Sequence, residues 1–212
     1  MNSINIRWAS PLIIALIGLF IFNSCVLREA TYQDRISKCF KAATKIEFSV
    51  VGSDKKGYEI DADPNCVLGA SLPEFEIADM GKNRIRTKDL KGKINIINFW
   101  FIKCAPCVAE IPDLNTLVKK YNSKDINFLA ISRDSVSELV NFLKKHPFDF
   151  TIIPNGSELI DKNFQLMWGN PFTLITNKKN VIIGALQARN YKNLSSGSII
   201  NEIDSILVGQ GL

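Results

Sequence analysis

The amino-acid sequence predicts an α/β domain in which helices flank a central mixed β-sheet, with a β-hairpin as an N-terminal extension. Residues 94–101 are almost continuously apolar, which is typical of a central strand that is covered on both faces. Strand-length and helix-length segments then alternate along the chain. The last two strand-length runs, separated by the polar residues 177–180, predict a closing hairpin, so the sheet is expected to contain both parallel and antiparallel strands.

The leading segment, residues 25–70, has a weaker pattern. Residues 28–43 are interpreted as helical. Residues 45–51 and 57–60 alternate polar and apolar side chains on either side of a short glycine-containing stretch, which predicts the hairpin. Residues 61–65 are expected to form a loop.

Residues 71–212 are predicted to form a single domain with strands, helices and turns in a clear order. Strands are predicted at residues 74–78, 84–86, 94–101, 126–132, 150–153, 172–176 and 181–186, and helical segments at residues 87–90, 105–121, 135–146, 158–165 and 198–208. The helix at residues 135–146 is expected to bury one face, formed by Val136, Leu139, Val140 and Leu143.

Length and charge limit the classes of function. With 212 residues, 46% of them hydrophobic, the chain is long enough for one buried domain and additional segments. The formal net charge is +5, and the lysines are scattered in pairs and form no basic stripe with interleaved aromatic residues. Nucleic acid is therefore not expected as a partner.

Residues 1–24 are predicted to be an export signal. Arg7 is followed by an uncharged, largely apolar stretch. Its end resembles a bacterial lipobox, with Ser24 immediately before Cys25, which predicts cleavage there and attachment of a lipid to Cys25. The alternative is an uncleaved membrane anchor, since roughly 20 uncharged residues span a bilayer. Both place the remaining chain on the periplasmic side of the cell envelope, tethered to a membrane.

Cys104 and Cys107 lie two residues apart where the apolar strand gives way to a helix. A helix N-terminus offers unpaired N–H groups and partial positive charge, so a thiol placed there ionises readily. A second thiol one turn later is able to resolve a mixed disulfide. Pro106 suits the first turn of a helix, where its missing N–H is not needed. This pattern predicts thiol–disulfide exchange, with a static structural disulfide as the alternative.

The same cysteine spacing also occurs in zinc sites, but zinc requires further ligands. The chain has one histidine and no second pair of cysteines at this spacing. We therefore expect no bound metal and no other cofactor.

Five motifs together are more specific than the cysteine pair alone. They are residues 69–75, 98–100, 104–107, 110–112 and 170–172. In this order they resemble the thioredoxin superfamily and, within it, the TlpA/ResA-like extracytoplasmic thiol–disulfide oxidoreductases. The resemblance covers about residues 66–212 and implies a thioredoxin-like fold.

The resemblance also implies roles for individual residues. Cys104 is expected to be the attacking thiol and at least partly exposed, whereas Cys107 is expected to be more buried and to resolve the intermediate. Glu110 is expected to exchange a proton with Cys107, a role that favours a carboxyl pKa raised by burial. The alternative for Glu110 is a solvated helix residue.

Three further residues are expected to support the site. Lys103 stands where relatives usually have tryptophan, and either stabilises the Cys104 thiolate or lies in solvent. Pro171 resembles the cis-proline that faces the cysteine pair in thioredoxin folds, and the backbone of Asn170 is then expected to pair with an extended substrate segment. The alternative is an ordinary trans proline that begins a strand.

Once Cys25 and the redox pair are set aside, Cys39 and Cys66 remain. They either form a structural disulfide that joins the leading segment to the domain or stay as free buried thiols.

These observations predict a membrane-tethered oxidoreductase, with the reductase direction favoured, that acts on disulfides of exported proteins and is reset by a membrane electron donor. One alternative is a thiol peroxidase, although the threonine that precedes the reactive cysteine in peroxiredoxins has no counterpart before Cys104. A second is a metal carrier similar to copper chaperones of the superfamily, which use a wider cysteine spacing and a distant histidine.

Overall fold

The structure is a computed structural model that describes residues 30–49, 56–121, 125–187 and 198–211. The predicted export signal of residues 1–24 and the predicted lipidation site, Cys25, lie outside these ranges. Within the described ranges, no helix combines the length and the apolar character needed to cross a bilayer.

The chain forms nine strands and four α-helices in the described ranges. The strands are β1 (Thr44–Ser49), β2 (Lys56–Asp61), β3 (Glu76–Ala78), β4 (Arg84–Arg86), β5 (Ile94–Trp100), β6 (Ile126–Ser132), β7 (Thr151–Ile153), β8 (Phe172–Thr176) and β9 (Ile182–Gln187). The helices are α1 (Tyr32–Ala42), α2 (Ala105–Lys120), α3 (Val136–Leu143) and α4 (Ser198–Val208), with shorter helical turns at Pro64–Val67, Thr87–Leu90 and Leu159–Asn163.

The central sheet has five strands in the order β7-β6-β5-β8-β9. β5 pairs in parallel with β6 and antiparallel with β8, and all seven of its residues are buried. β6 and β7 are parallel, whereas β8 and β9 form the antiparallel closing hairpin. The predicted mixed sheet is therefore confirmed, as is the separate N-terminal hairpin of β1 and β2.

Each face of the central sheet has its own apolar core, because alternate residues of a strand point to opposite faces. Ile97 and Phe99 of β5 belong to one core, together with Tyr32 and Ile36 of α1. The other face of β5 packs against α2 and α4. The redox cysteines belong to this second core.

Two helical predictions differ from the structure. The helix predicted at residues 135–146 ends at Leu143, and only Leu139 of its expected apolar face is buried, since Val136 is 42% exposed and Val140 is 41% exposed. Beyond Leu143 the chain tightens, because the backbone N–H of Lys145 donates to Phe142 O, three residues back, at 3.0 Å. The segment predicted as a helix at residues 158–165 is helical only as far as Asn163, and Leu159–Asn163 is a π-helical turn.

The leading segment is joined covalently to the domain entrance. A disulfide links Cys39 on α1 with Cys66 in the turn Pro64–Val67, with 5.7 Å between the Cα atoms. A capping box between Thr31 and Asp34 begins α1, because each residue supplies an acceptor to the backbone N–H of the other. The segment is thus packed on the domain.

Candidate redox site

The site begins where β5 passes into α2. A turn over residues 101–104 is closed by the hydrogen bond from Cys104 N–H to Phe101 O, at 3.1 Å. Cys104 is then the N-cap of α2, and its Sγ accepts the backbone N–H of Cys107 at 3.3 Å. Pro106 occupies the first turn, where no intrahelical donor is required.

Cys104 and Cys107 form a disulfide, with 5.2 Å between their Cα atoms. Cys107 is 3% exposed and Cys104 is 6% exposed. The expectation that Cys104 is partly exposed is therefore not met in this oxidised state. The reason is that its Sγ is bonded to the inward-facing sulfur of Cys107 and lies against the first turn of the helix.

Glu110 lies one turn after Cys107 on α2. Its Oε2 is buried and has no hydrogen-bond partner among the described residues. Burial, followed by the nearby charge of Asp113, raises the pKa of Glu110 to about 8. A carboxyl group with this pKa gains or loses a proton in the same pH range as an ordinary thiol.

Lys103 is exposed, and its charge acts on Glu138 in the first turn of α3. Hydrogen bonds from the Ser135 side chain and backbone lower the pKa of Glu138, and the positive charge of Lys103 adds to that effect. The positive charge of Lys103 therefore acts on a residue of α3. The sequence did not indicate that α3 lies near Lys103.

The bond between Asn170 and Pro171 is cis. The next residue, Phe172, is paired with Phe99 in the antiparallel ladder of β8 and β5. Continuing this register places Pro171 beside Trp100, at the sheet edge where the turn to Cys104 begins. The side chain of Asn170 is half-buried, and its Oδ1 has no hydrogen-bond partner among the described residues.

Trp168 supports the loop that contains Pro171. Its ring stacks on Phe172 with 4.9 Å between the ring centroids, and its indole N–H donates to Ala62 O at 2.9 Å. Because Trp168 is fully buried, it packs within the core.

Sequence reasoning missed Asp134. Its Oδ2 accepts the backbone N–H of Ile102 at 2.7 Å, two residues before Cys104. Asp134 follows the end of β6, and the carboxyl ends of parallel strands meet at one edge of a sheet. A carboxylate two residues after the end of the strand that pairs in parallel with β5 was the signal available in the sequence.

The structure thus brings Lys103, Cys104, Cys107 and Glu110 together on the turn and on α2, with Asn170 and Pro171 on the neighbouring strand connection. The Cys39–Cys66 disulfide packs with the opposite core. No group of three or more histidine, cysteine or carboxylate residues suited to hold a metal ion occurs in the part of the chain that the structure describes.

The chain is similar in sequence to known proteins. Residues 68–190 match the model of the AhpC/TSA family. The thiol-disulfide oxidoreductase ResA of Bacillus cereus is 36% identical over 95 residues, which are 44% of this chain and 55% of the relative. ResA of Bacillus subtilis is 31% identical over 86 residues, which are 40% and 48%. The matched region thus spans about half the length of these curated relatives.

Solved structures share the fold. The thioredoxin domain of a thiol-disulfide oxidoreductase from Bacteroides vulgatus has a TM-score of 0.55 at 17% identity, over 65% of this chain and 96% of that one. A secreted disulfide oxidoreductase from Mycobacterium tuberculosis has a TM-score of 0.52 at 19% identity, over 64% and 95%. At these identities the likeness establishes a thioredoxin-like fold. The family match extends over more than half of this chain, and the chain therefore belongs to the AhpC/TSA family of the thioredoxin superfamily.

Proposed function

We propose that this chain is a thiol–disulfide oxidoreductase that acts outside the cytoplasm through Cys104 and Cys107. The observation that carries the proposal is the position of Cys104 as the N-cap of α2, in a disulfide with Cys107. A static disulfide has no need of a helix N-terminus that stabilises a thiolate. The similarity to ResA, named a thiol-disulfide oxidoreductase, supports the same chemistry.

In the reductase direction, the Cys104 thiolate attacks one sulfur of a substrate disulfide. A mixed disulfide forms, and the other substrate sulfur leaves as a thiolate. Cys107, once deprotonated, attacks Cys104 Sγ and releases the second substrate sulfur. The substrate has then gained two electrons, and a dithiol donor must reduce the Cys104–Cys107 disulfide before the next cycle.

Glu110 is proposed to take the proton that Cys107 loses and to return it when the dithiol is restored. Its pKa of about 8 is close to that of an ordinary thiol, so the transfer requires little free energy in either direction. The hydrogen-bonding capacity of Oε2, which no described residue uses, is consistent with this role.

The setting of the reaction also belongs to the proposal. The Cys39–Cys66 disulfide supports an oxidising compartment. We propose that exported proteins supply the substrate disulfides and that the backbone at Asn170 pairs with an extended substrate segment. The chain is proposed to be tethered through a lipid on Cys25 or an uncleaved anchor, and a membrane thiol-relay protein is proposed as the electron donor.

Reduction of insulin disulfides in the presence of dithiothreitol tests the activity. Cys104→Ser should abolish acceleration above the rate with dithiothreitol alone. Without dithiothreitol, which would reduce it, a mixed disulfide with insulin should accumulate on Cys107→Ser. The Cys39→Ser/Cys66→Ser variant serves as the matched control and should remain active. Equilibration of the Cys104–Cys107 pair with glutathione then decides between the reducing and oxidising directions. Turnover of peroxide far faster than that of insulin would overturn the proposal in favour of a peroxidase.

A further inference from the structure

The carboxylate of Asp134 lies beside the turn that leads into Cys104. Ile102 occupies the second position of this turn, where the backbone N–H points away from the turn's own hydrogen bond. That N–H donates to Asp134 Oδ2 at 2.7 Å, and Ile102 is half-buried. Since a shielded N–H without a partner costs free energy, the turn depends on this acceptor.

Asp134 is itself held firmly. The Ser132 hydroxyl donates to the same Oδ2 at 2.7 Å, and the Asp134 N–H donates to Ser132 Oγ at 3.1 Å. The carbonyl oxygen of Asp134 accepts the N–H of Asn155 at 2.9 Å, and that of Ser132 accepts the N–H of Gly156 at 2.7 Å. These bonds tie the carboxylate to the buried end of β6 and to the loop after β7, so its position is fixed relative to the sheet.

The turn over residues 101–104 fixes the position of Cys104. Only a sulfur aligned with the first turn of α2 accepts the Cys107 N–H and experiences the helix dipole. We infer that Asp134 is a positioning residue that holds Cys104 at the helix N-terminus by anchoring Ile102. A consequence of this positioning for catalysis rests on the proposed oxidoreductase function. Its effect on the ionisation of the Cys104 thiol does not depend on that function.

The test follows alkylation of Cys104 by iodoacetamide across a pH series. The Cys107→Ser background frees Cys104 without a reductant, and mass spectrometry of the peptide that contains Cys104 separates it from other thiols. Asp134→Ala should slow alkylation at neutral pH by about tenfold and move the midpoint of the pH profile upward, because the displaced thiolate loses its helix contacts. Asp134→Asn, which keeps an oxygen acceptor, should restore most of the rate and should not raise the midpoint.

Asp79→Ala is the matched control, because the Asp79 carboxylate also accepts a backbone N–H, that of Asn83 at 2.8 Å, in the turn between β3 and β4. Its profile should match that of the parent. Lys103 and Glu110, the titratable side chains on the turn and on α2 near Cys104, are unchanged in every variant.

An unchanged midpoint in Asp134→Ala would overturn the inference, as would an Asp134→Asn variant that is as slow as Asp134→Ala. Thermal unfolding of each variant is measured alongside, because a purely structural role would lower Tm without moving the midpoint. If the unsubstituted protein fails to reduce insulin, the proposed function is wrong, and the alkylation profiles still decide the role of Asp134.

Discussion

Glu110 carries a carboxyl group whose pKa differs strongly between the folded and unfolded chain. Burial raises that pKa from its ordinary value of 4.5 to about 8 in the folded protein. Between these two pH values the folded state holds a proton that the unfolded state has lost. The free energy of unfolding must therefore fall as the pH rises through this window.

Glu110→Gln should remove most of this pH dependence. The variant should gain stability relative to the parent at pH values above 8, by on the order of a few kcal/mol, because no buried carboxylate has to form. Urea unfolding below pH 4.5 and above pH 8 measures the difference. Glu202→Gln is the matched control, since burial raises the pKa of that carboxyl as well but it is less buried, and it should remove a smaller part of the slope. Parallel stability profiles for the parent and Glu110→Gln would contradict the prediction.

The same substitution should alter the pH dependence of catalysis. If Glu110 exchanges a proton with Cys107, Glu110→Gln should lose the inflection near pH 8 in kcat/KM for insulin reduction. Loss of one general acid–base group is expected to cost on the order of 100-fold. An unaltered profile would mean that Glu110 takes no part in the reaction.

Single residues differ in how much of their role the sequence reveals. The spacing of Cys104 and Cys107 and their place at a strand-to-helix junction were enough to predict a redox pair. The position of Glu110 was predicted from the family resemblance, whereas the size of its pKa shift depends on side chains that pack around it in three dimensions. Asp134 was missed because its partner, Ile102, is brought near only by the parallel pairing of β5 and β6.

At the scale of elements, the central strand β5 holds two buried asparagines within an otherwise apolar run. The Asn95 side chain donates to Thr176 Oγ1 at 2.8 Å and to Asn180 Oδ1 at 3.1 Å, and its own Oδ1 accepts from Asn127 at 2.8 Å. Among the residues that the structure describes, the Asn98 side chain donates only to Thr173 Oγ1, at 3.0 Å. Asn95 therefore joins β5 to β6, to β8 and to the loop after β8.

Asn95→Ala should destabilise the fold more than Asn98→Ala. The first change leaves several buried polar groups without partners and should cost about 3 kcal/mol, whereas the second leaves one and should cost about 1 kcal/mol. Urea unfolding of both variants at one pH gives the comparison. Equal losses would show that the network around Asn95 contributes no more than a single hydrogen bond.

Most elements could be predicted because strands and helices have different apolar periods. The predictions were wrong where a local contact ends an element early. At α3, the hydrogen bond from Lys145 N–H to Phe142 O, three residues back, tightens the last turn soon after Leu143. The π-helical turn has an i to i+5 hydrogen bond from Phe164 N–H to Leu159 O, which no apolar period indicates.

At the scale of the whole molecule, the mixed character of the sheet could be predicted, because strands alternate with helices along the sequence and end in a hairpin. The strand order could not be predicted in this way. The pairing of Cys39 with Cys66 does not follow from this alternation either, because the sequence cannot reveal that α1 folds back on the turn Pro64–Val67. The structure places their Cα atoms at bridging distance.

The two disulfides should contribute unequally to stability. Cys39 and Cys66 are 27 residues apart, and closing a loop of that length should stabilise the fold by about 3.5 kcal/mol. Cys104 and Cys107 are 3 apart, which predicts about 2 kcal/mol. Urea unfolding of Cys39→Ser/Cys66→Ser and of Cys104→Ser/Cys107→Ser measures both contributions. A larger loss from the second pair would contradict the loop-entropy estimate.

The central sheet stands between these two sulfur pairs, since Cys39 packs into one core and Cys104 and Cys107 into the other. In the folded chain the sheet therefore keeps the Cys39–Cys66 pair apart from the Cys104–Cys107 pair, so that the four sulfurs do not exchange partners. Mispairing is therefore confined to the period before the sheet closes, and any later exchange at Cys104 and Cys107 would leave the Cys39–Cys66 disulfide intact.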